Sequence, residues 1–128
     1  MTNFEDVYDL VVDWGYDKSL IIWHYSGKQF LKVVEEMLEF KTELDTWTRH
    51  RDYYEKNPHK KIPEKKDARI TKKLMLEMGD VFVTLIILCE QLDIDPITCL
   101  DMAYEKIKDR KGETINGLFV KEEDLKER

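Results

Sequence analysis

An uncharged run at residues 81–89 constrains the fold of this chain more than any other feature. In a helix drawn from about 71 to about 92, the part at 81–88 is apolar on every side except at Thr84. A helix that is apolar all round lies at the centre of a protein or in a subunit interface. The run is also too short to span a bilayer, which takes about 20 residues. It therefore predicts a central helix and no membrane partner.

The N-terminal half of the chain has the periodicity of two further helices. Thr2 and Glu5 form a capping box at the start of the first, whose apolar residues recur every three or four positions until Gly15 ends it. The second helix is expected from about 28 to about 47, with a broad apolar face bordered by a stripe of carboxylates.

The C-terminal part predicts one more helix and a small hairpin. Asp95-Pro96 is an N-cap followed by proline at the first helical position, and this helix is expected to end at Gly112. Asn116-Gly117 between short apolar runs indicates a hairpin or arm. We expect an all-α, four-helix bundle-like fold in a single domain over residues 1–121, followed by a charged tail at 122–128.

Net charge argues against nucleic-acid binding, and the N-terminus and the cysteines indicate the compartment. The 128 residues include 21 basic and 27 acidic side chains, for a net charge of −6. Stable nucleic-acid binding is not expected, because phosphate backbones reward a basic surface. The N-terminus lacks a basic leader, and the two cysteines fit reduced, buried thiols. A cytoplasmic location follows as an expectation.

Residues 48–73 differ from the rest of the chain. They contain ten Lys and Arg against four Asp and Glu, together with two of the three prolines. This composition predicts a basic loop insertion with frayed helix ends, and a solvated insertion is its simplest interpretation. The alternative is that the segment steers an anionic ligand towards an acidic metal site.

Two acidic motifs carry the chemistry. Glu36 and Glu39 form E-x-x-E, and Glu77 and Asp80 form E-x-x-D. Residues three apart on a helix share a face, so each pair of carboxylates can share a ligand. Glu77 and Asp80 also precede the apolar run, where an unpaired charge costs several kcal/mol. The chain has to neutralise these acids with protons, with Lys or Arg, or with cations.

Cations suit this donor set best. Carboxylate oxygens are hard ligands that favour Mg²⁺, Mn²⁺ or Ca²⁺, and no histidine follows the acids at a spacing typical of zinc or di-iron sites. Bound Mg²⁺ usually keeps positions open for phosphate oxygens, which indicates a di- or triphosphate substrate. A solvated acidic helix face without any metal remains the alternative.

Three runs of this sequence resemble one enzyme family. Residues 29–39 are similar to the first motif, and residues 77–85 to the second motif, of MazG-type all-α nucleoside triphosphate pyrophosphohydrolases. Residues 92–96, followed by Ala103, Lys106 and Arg110, resemble the segment after it. The resemblance extends over residues 28–111, although the stretch at 45–73 is longer and more basic than in compact relatives.

The resemblance implies a helical bundle that assembles as a homodimer or homotetramer. It also implies Mg²⁺-dependent cleavage of a (deoxy)nucleoside triphosphate to the monophosphate and pyrophosphate, with Mn²⁺ as a substitute ion. The implied metal ligands are Glu36, Glu39, Glu77 and Asp80, and Lys106 and Arg110 would meet phosphates.

Further roles follow from the chemistry of such a site. Glu35 or Glu39 could orient the attacking water or accept its proton, and Lys111 could join the phosphate-facing cations. Trp23 could stack on a nucleobase or could be an interface residue. Thr84 could line the pocket or hydrogen-bond its own helix backbone.

Two other functions fit the same sequence. One is a non-catalytic helical interaction protein whose acidic faces are incidental. The other is a related enzyme that hydrolyses a phosphoribosyl-nucleotide rather than a free triphosphate. Metal binding separates the first from our interpretation, and analysis of the products separates the second.

Overall fold

A computed structural model describes residues 3–126, which divide after Asp93 into two compact units. The first unit contains helix α1 (Phe4–Asp17), a 3₁₀ turn (Trp23–Tyr25), α2 (Ser26–Lys56) and α3 (Glu64–Gln91). The second contains α4 (Pro96–Ile107), strands β1 (Gly112–Ile115) and β2 (Leu118–Lys121), and the short α5 (Glu122–Leu125). The all-α fold and the C-terminal hairpin are confirmed, whereas the single domain over 1–121 stays a prediction.

Helix α1 begins at a cap but does not end at the predicted glycine. The Asn3 side chain accepts a hydrogen bond from the Asp6 backbone N–H at 2.9 Å, and Thr2 of the predicted capping box lies outside the described residues. Gly15 is buried within the helix, where a Cβ would come within 2.6 Å of the Ile87 side chain. The prediction that Gly15 ends the helix is therefore wrong, because this glycine serves the close approach of α1 to α3.

The basic segment at 48–73 is mostly helical, so its prediction as a loop is wrong. Helix α2 continues to Lys56 and α3 begins at Glu64, which leaves only 57–63 as the connection. Lysine and arginine are good helix formers, and the break is confined to the stretch that contains Pro58 and Pro63.

Helices α2 and α3 pack side by side in opposite directions. The His50 Nε2 lies 3.0 Å from Asp67 Oδ1 near the connection, and Lys73 Nζ lies 3.2 Å from Glu43 Oε1 further along. The helices are therefore antiparallel, because residues earlier in α2 pair with residues later in α3. The same register brings residue 39 of α2 opposite residue 77 of α3, and residue 36 opposite residue 80.

The core of the first unit lies along α3, as the uncharged run predicts. Val81, Ile86 and Ile87 of α3 are buried with Val33 of α2. Phe82 and Leu85 nevertheless remain 53% and 39% exposed, so the chain does not cover α3 on every side. None of the described helices combines the length and the apolar character needed to cross a membrane.

The second unit follows the predicted order of elements with shifted ends. The Asp95 carboxylate accepts from the Thr98 backbone N–H at 3.2 Å and caps α4, which ends at Ile107 rather than at Gly112. The two strands are antiparallel with Ile115 opposite Leu118, and Asn116 and Gly117 both have positive φ, as a tight hairpin turn requires. The predicted tail forms α5 over Glu122–Leu125, and residues 127–128 lie outside the described part of the chain.

Candidate metal centre

Three of the four predicted acids come together between α2 and α3. Glu36, Glu39 and Glu77 each offer a carboxylate oxygen, and these oxygens lie within 4.8 Å of one another. The i, i+3 spacing places the first two on one face of α2, and the antiparallel packing brings Glu77 to them from α3. We call these three residues the acidic triad.

Burial leaves the triad short of hydrogen-bond partners. Glu36 is 8% exposed, and its Oε1 lies 3.3 Å from Lys32 Nζ. Its Oε2 is buried without a hydrogen-bond partner among the described residues, and so is Oε2 of Glu77. A buried acceptor without a partner costs about 1–3 kcal/mol, more when it is charged, and calls for a water or an ion.

A raised pKa at Glu39 is a second sign that the triad concentrates negative charge. A hydrogen bond to Glu36 is the main reason that the pKa of Glu39 is raised above its usual value. Repulsion from Glu36, burial and repulsion from Glu77 raise this pKa further. A cation at the triad would lower this pKa, because it would favour the charged form of each carboxylate.

Asp80 stands apart from the triad although it was predicted as the fourth ligand. It is exposed on α3, one turn beyond Glu77, and its oxygens do not belong to the close group of the other three. Asp80 and Glu36 line the same cavity. The structure thus assembles three of the acids, and the role of Asp80 as a ligand stays a prediction.

The cavity beside Glu36 has the size of a small-molecule site. Its volume is about 700 Å³, within the range of about 300–1,000 Å³ that is usual for ligand pockets. Its walls come from α1, the 3₁₀ turn, α2 and α3. They combine apolar with polar side chains and include Trp14, Leu20, Tyr25, Lys28, Gln29, Lys32, Glu36, Asp80, Val83, Thr84, Ile87 and Gln91.

Predicted substrate residues in the first unit have different placements. Thr84 lines the cavity, and its hydroxyl also donates to the Val81 carbonyl at 2.8 Å, so both alternatives for Thr84 hold. Trp23 does not line the cavity; it is 65% exposed and stacks on His24 with ring centroids 3.8 Å apart. Its base-stacking role stays a prediction.

Glu35 lies on the outer surface of α2. Its side chain is exposed, and its Oε1 is 3.4 Å from Lys32 Nζ, which also pairs with Glu36. Glu35 therefore takes part in an ion pair at the surface of α2. The structure does not bring Glu35 into the acidic triad, and its role as a base stays a prediction.

The predicted phosphate-binding cations belong to the second unit. Lys106 is in the last turn of α4, and Arg110 and Lys111 follow that helix. Arg110 and Lys111 border a separate cavity of about 540 Å³ together with Lys121 and Lys126, and with Asp109, Glu122 and Glu123. This mixed charge does not define an anion site, and the phosphate role of the three predicted cations stays a prediction.

Sequence reasoning missed several residues that build this region. Trp14 and Tyr25 provide the aromatic walls of the cavity, and Gln91 is a buried polar residue at its far end. Trp14 follows Val11 at the i, i+3 spacing of the apolar residues of α1, which gives its helix face but does not reveal the cavity. Gln91 gives no such signal, because its burial depends on the fold of residues 18–22 against α3.

Comparisons with models of protein families, with curated proteins and with solved structures found no match to this chain.

Proposed function

We propose that this protein is a Mg²⁺-dependent nucleotide pyrophosphohydrolase that cleaves a (deoxy)nucleoside triphosphate to the monophosphate and pyrophosphate. The observation that carries this proposal is the acidic triad, with its two buried and unpartnered oxygens, at the edge of a ligand-sized cavity. The paired motifs at 36–39 and 77–80, and their resemblance to MazG-type enzymes, supply the reaction class.

The donor set fits a hard divalent cation. The triad offers only carboxylate oxygens, which Mg²⁺ and Mn²⁺ prefer over softer ligands. Lys32 is the one cation within ion-pair distance of the triad among the described residues, and it reaches only Oε1 of Glu36. Three carboxylates against one ammonium leave an excess of negative charge that a divalent ion would neutralise.

In the proposed mechanism Glu36, Glu39 and Glu77 hold the ion from two helices. A Mg²⁺ ion held by these residues would neutralise phosphate charge and make a water more acidic. Three protein ligands would leave room for phosphate oxygens and water. The chain itself contributes a rigid placement, since Glu36 and Glu77 are on long helices that pack along their length.

Other side chains would position the water and the phosphates. Asp80 lines the cavity beside Glu36. In the proposal Asp80 orients a water or accepts its proton, and Glu39 and Glu35 are the bases predicted from the sequence. Lys28 and Lys32 also line the cavity and can offset charge on the polyphosphate as the anhydride breaks. Lys106, Arg110 and Lys111 belong to the second unit, and a phosphate-facing role for them is proposed from the sequence alone.

Pyrophosphate release from a panel of canonical and modified nucleoside triphosphates tests the function. We expect release with Mg²⁺ or Mn²⁺, none in chelator, and loss of activity in Glu36→Gln. Glu55→Gln is the matched control, because it changes an exposed carboxylate of the same helix that lies outside the triad. Full activity in Glu36→Gln, or no release from any nucleotide, contradicts the proposal.

The same assay separates the two rival functions. Chromatography of the products distinguishes hydrolysis of a free triphosphate from hydrolysis of a phosphoribosyl-nucleotide, because the products carry different bases. A non-catalytic interaction protein would release neither product, with or without added metal.

We also propose that the working form is a homodimer or homotetramer in the cytoplasm. Exposed apolar side chains recur every three or four residues along α2, which favours an interface with a second copy. They are Phe30, Leu31, Val34, Met37 and Leu38.

A further inference from the structure

We infer that Gln91 determines ligand specificity by accepting a hydrogen bond from an N–H group of a nucleobase bound in the 700 Å³ cavity. This inference rests on the proposed nucleotide substrate and deepens it. It assigns the end of the cavity at Gln91 to the base and the end at Glu36 to the phosphates.

The amide of Gln91 has a fixed orientation. Its Nε2 donates to the Leu20 backbone carbonyl at 2.8 Å, and only the amino group of an amide can make that bond. The carbonyl oxygen Oε1 is therefore the other terminal atom. Gln91 is 6% exposed, and this Oε1 is buried with no hydrogen-bond partner among the described residues.

The buried carbonyl oxygen of Gln91 lacks a hydrogen-bond donor. A buried polar group without a partner is unfavourable, and native proteins rarely leave one unexplained. Gln91 lines the cavity, and a ligand donor would reach its Oε1 once the side chains that cover this atom move aside. The lysines of the same cavity, Lys28 and Lys32, do not fill this role in the structure, because Lys32 pairs with Glu35 and Glu36 and Lys28 lies over the Tyr25 ring.

The walls of the cavity suit a flat, apolar ring. Trp14 and Tyr25 are about half exposed and line it with aromatic side chains, and Ile87, one turn before Gln91 on α3, adds aliphatic surface. Bases stack on aromatic side chains whatever their sequence, so shape alone does not select among them. Selection would come from the one directional group, the Oε1 of Gln91.

The spacing along α3 matches the length of a nucleotide. Gln91 and Asp80 both line the cavity and are eleven residues apart on one helix, which is about 16 Å at 1.5 Å per residue. That is about the length of an extended nucleoside triphosphate. A base at Gln91 would therefore place its phosphates near Asp80 and Glu36.

Binding of nucleoside monophosphates in chelator tests this inference without metal or hydrolysis. Each natural nucleotide is compared, by calorimetry, with an analogue that lacks one base N–H, such as the deamino or the ring N-methyl form. We expect wild type to prefer at least one parent over its analogue by about 10- to 100-fold, because the analogue leaves the acceptor unpaired. Gln91→Met, which has a similar length and no amide, should bind parent and analogue equally.

Each result has a defined meaning. Equal binding of every parent and analogue by wild type overturns the inference without any variant, so a Gln91→Met chain that fails to fold does not rescue it. An unchanged preference in Gln91→Met also overturns it, because Gln91 then only anchors Leu20. Pyrophosphate release without such discrimination overturns this inference and leaves the proposed function standing, whereas discrimination without release overturns only the proposed function.

Discussion

Glu36 is placed where burial and charge act against each other. It is nearly enclosed, it has one lysine partner on Oε1, and two other carboxylates lie within 4.8 Å. Like charges at this distance repel strongly in a partly dry site. A protein that retains such an arrangement sacrifices stability in the absence of a cation, and the first two predictions follow from that cost.

We predict that Glu77→Gln loses more than about 100-fold in activity while its metal-free stability stays equal to wild type or rises. The change keeps the size of the side chain, removes a ligand and relieves repulsion in the triad. Thermal unfolding in chelator and pyrophosphate release with Mg²⁺ measure the two effects. Wild-type activity in Glu77→Gln would remove Glu77 from the site.

Asp80→Asn is the informative comparison for Glu77→Gln. Because Asp80 is exposed and outside the triad, its substitution should raise metal-free stability by less. An equal or larger increase in Asp80→Asn would mean that Asp80 shares the charge of the triad.

The raised pKa of Glu39 gives a pH dependence whose sign is fixed. Below its usual value of 4.5 the carboxyl is protonated in both the folded and the unfolded chain, and it contributes nothing to the pH dependence. As the pH rises from 4.5 through the raised pKa, the unfolded chain loses its proton first, so the free energy of unfolding falls. In chelator we predict a flatter stability curve for Glu39→Gln than for wild type over this range.

Chemical denaturation at a series of pH values measures the difference between the two proteins. Saturating Mg²⁺ should reverse the sign of the difference in free energy of unfolding, because the ion stabilises wild type and the variant lacks one of its carboxylate ligands. Parallel curves for wild type and Glu39→Gln would contradict the raised pKa of Glu39.

Only part of the candidate site can be predicted from the sequence. Glu36, Glu39 and Glu77 were predictable because helical spacing and the cost of a carboxylate next to an apolar run are local properties. Trp14, Tyr25 and Gln91 were not, because they meet only after the chain between α1 and α2 folds back onto α3. Asp80 shows the limit of periodicity, since the i+3 position gives a shared face but not a shared ligand.

At the scale of helices, the contact between α1 and α3 depends on a missing side chain. Gly15 faces Ile87, which is almost fully buried, and Ile21. Gly15 is needed for the close contact between the two helices and not for a turn of the backbone, so α1 continues past it. Glycine is common just after the end of a helix, which is why the sequence alone predicts an end there.

We predict that Gly15→Ala lowers the free energy of unfolding by up to about 2 kcal/mol. Overpacking against Ile87 costs about 1–3 kcal/mol, and the better helix propensity of alanine returns about 1 kcal/mol. Gly27→Ala is the control, because no atom lies within 4 Å of its added Cβ and only the propensity gain applies. If Gly15→Ala is as stable as Gly27→Ala, the packing of α1 on α3 is looser than described.

The lengths of α2 and α3 were underestimated for a related reason. A run of lysine and arginine predicts solvent exposure, and exposure was interpreted as a loop. Exposed helix faces are charged as well, and the tie from His50 to Asp67 continues the pairing of α2 with α3 into the basic segment. That pairing joins residues 17 positions apart, and no local pattern contains it.

At the scale of the whole molecule, much apolar surface remains open. On α2 the residues Leu31 and Leu38 are 66% and 64% exposed, and on α4 the apolar residues Ile97, Leu100 and Tyr104 are exposed as well. In the second unit no described residue falls into the buried class. Large exposed apolar patches are typical of interaction surfaces.

We predict that the protein is a dimer or tetramer at micromolar concentration and that the double variant Leu31→Gln, Leu38→Gln shifts it to smaller species. The two residues are seven positions apart on one stripe of α2, so both would enter the same interface. Sedimentation velocity measures the change, with Lys72→Gln as an exposed control on α3. A wild-type monomer, or a variant that assembles as well as wild type, would contradict the prediction.

Calorimetric titration of the protein with Mn²⁺ and Mg²⁺ tests the central claim most directly, because it asks whether the acidic triad binds a divalent cation. We predict saturable binding to wild type, nearly unchanged binding to Glu35→Gln, and binding weakened by more than about 100-fold in Glu36→Gln and Glu77→Gln. No heat with wild type together with no rise in its unfolding temperature, or equal binding by wild type and Glu36→Gln, would contradict the claim.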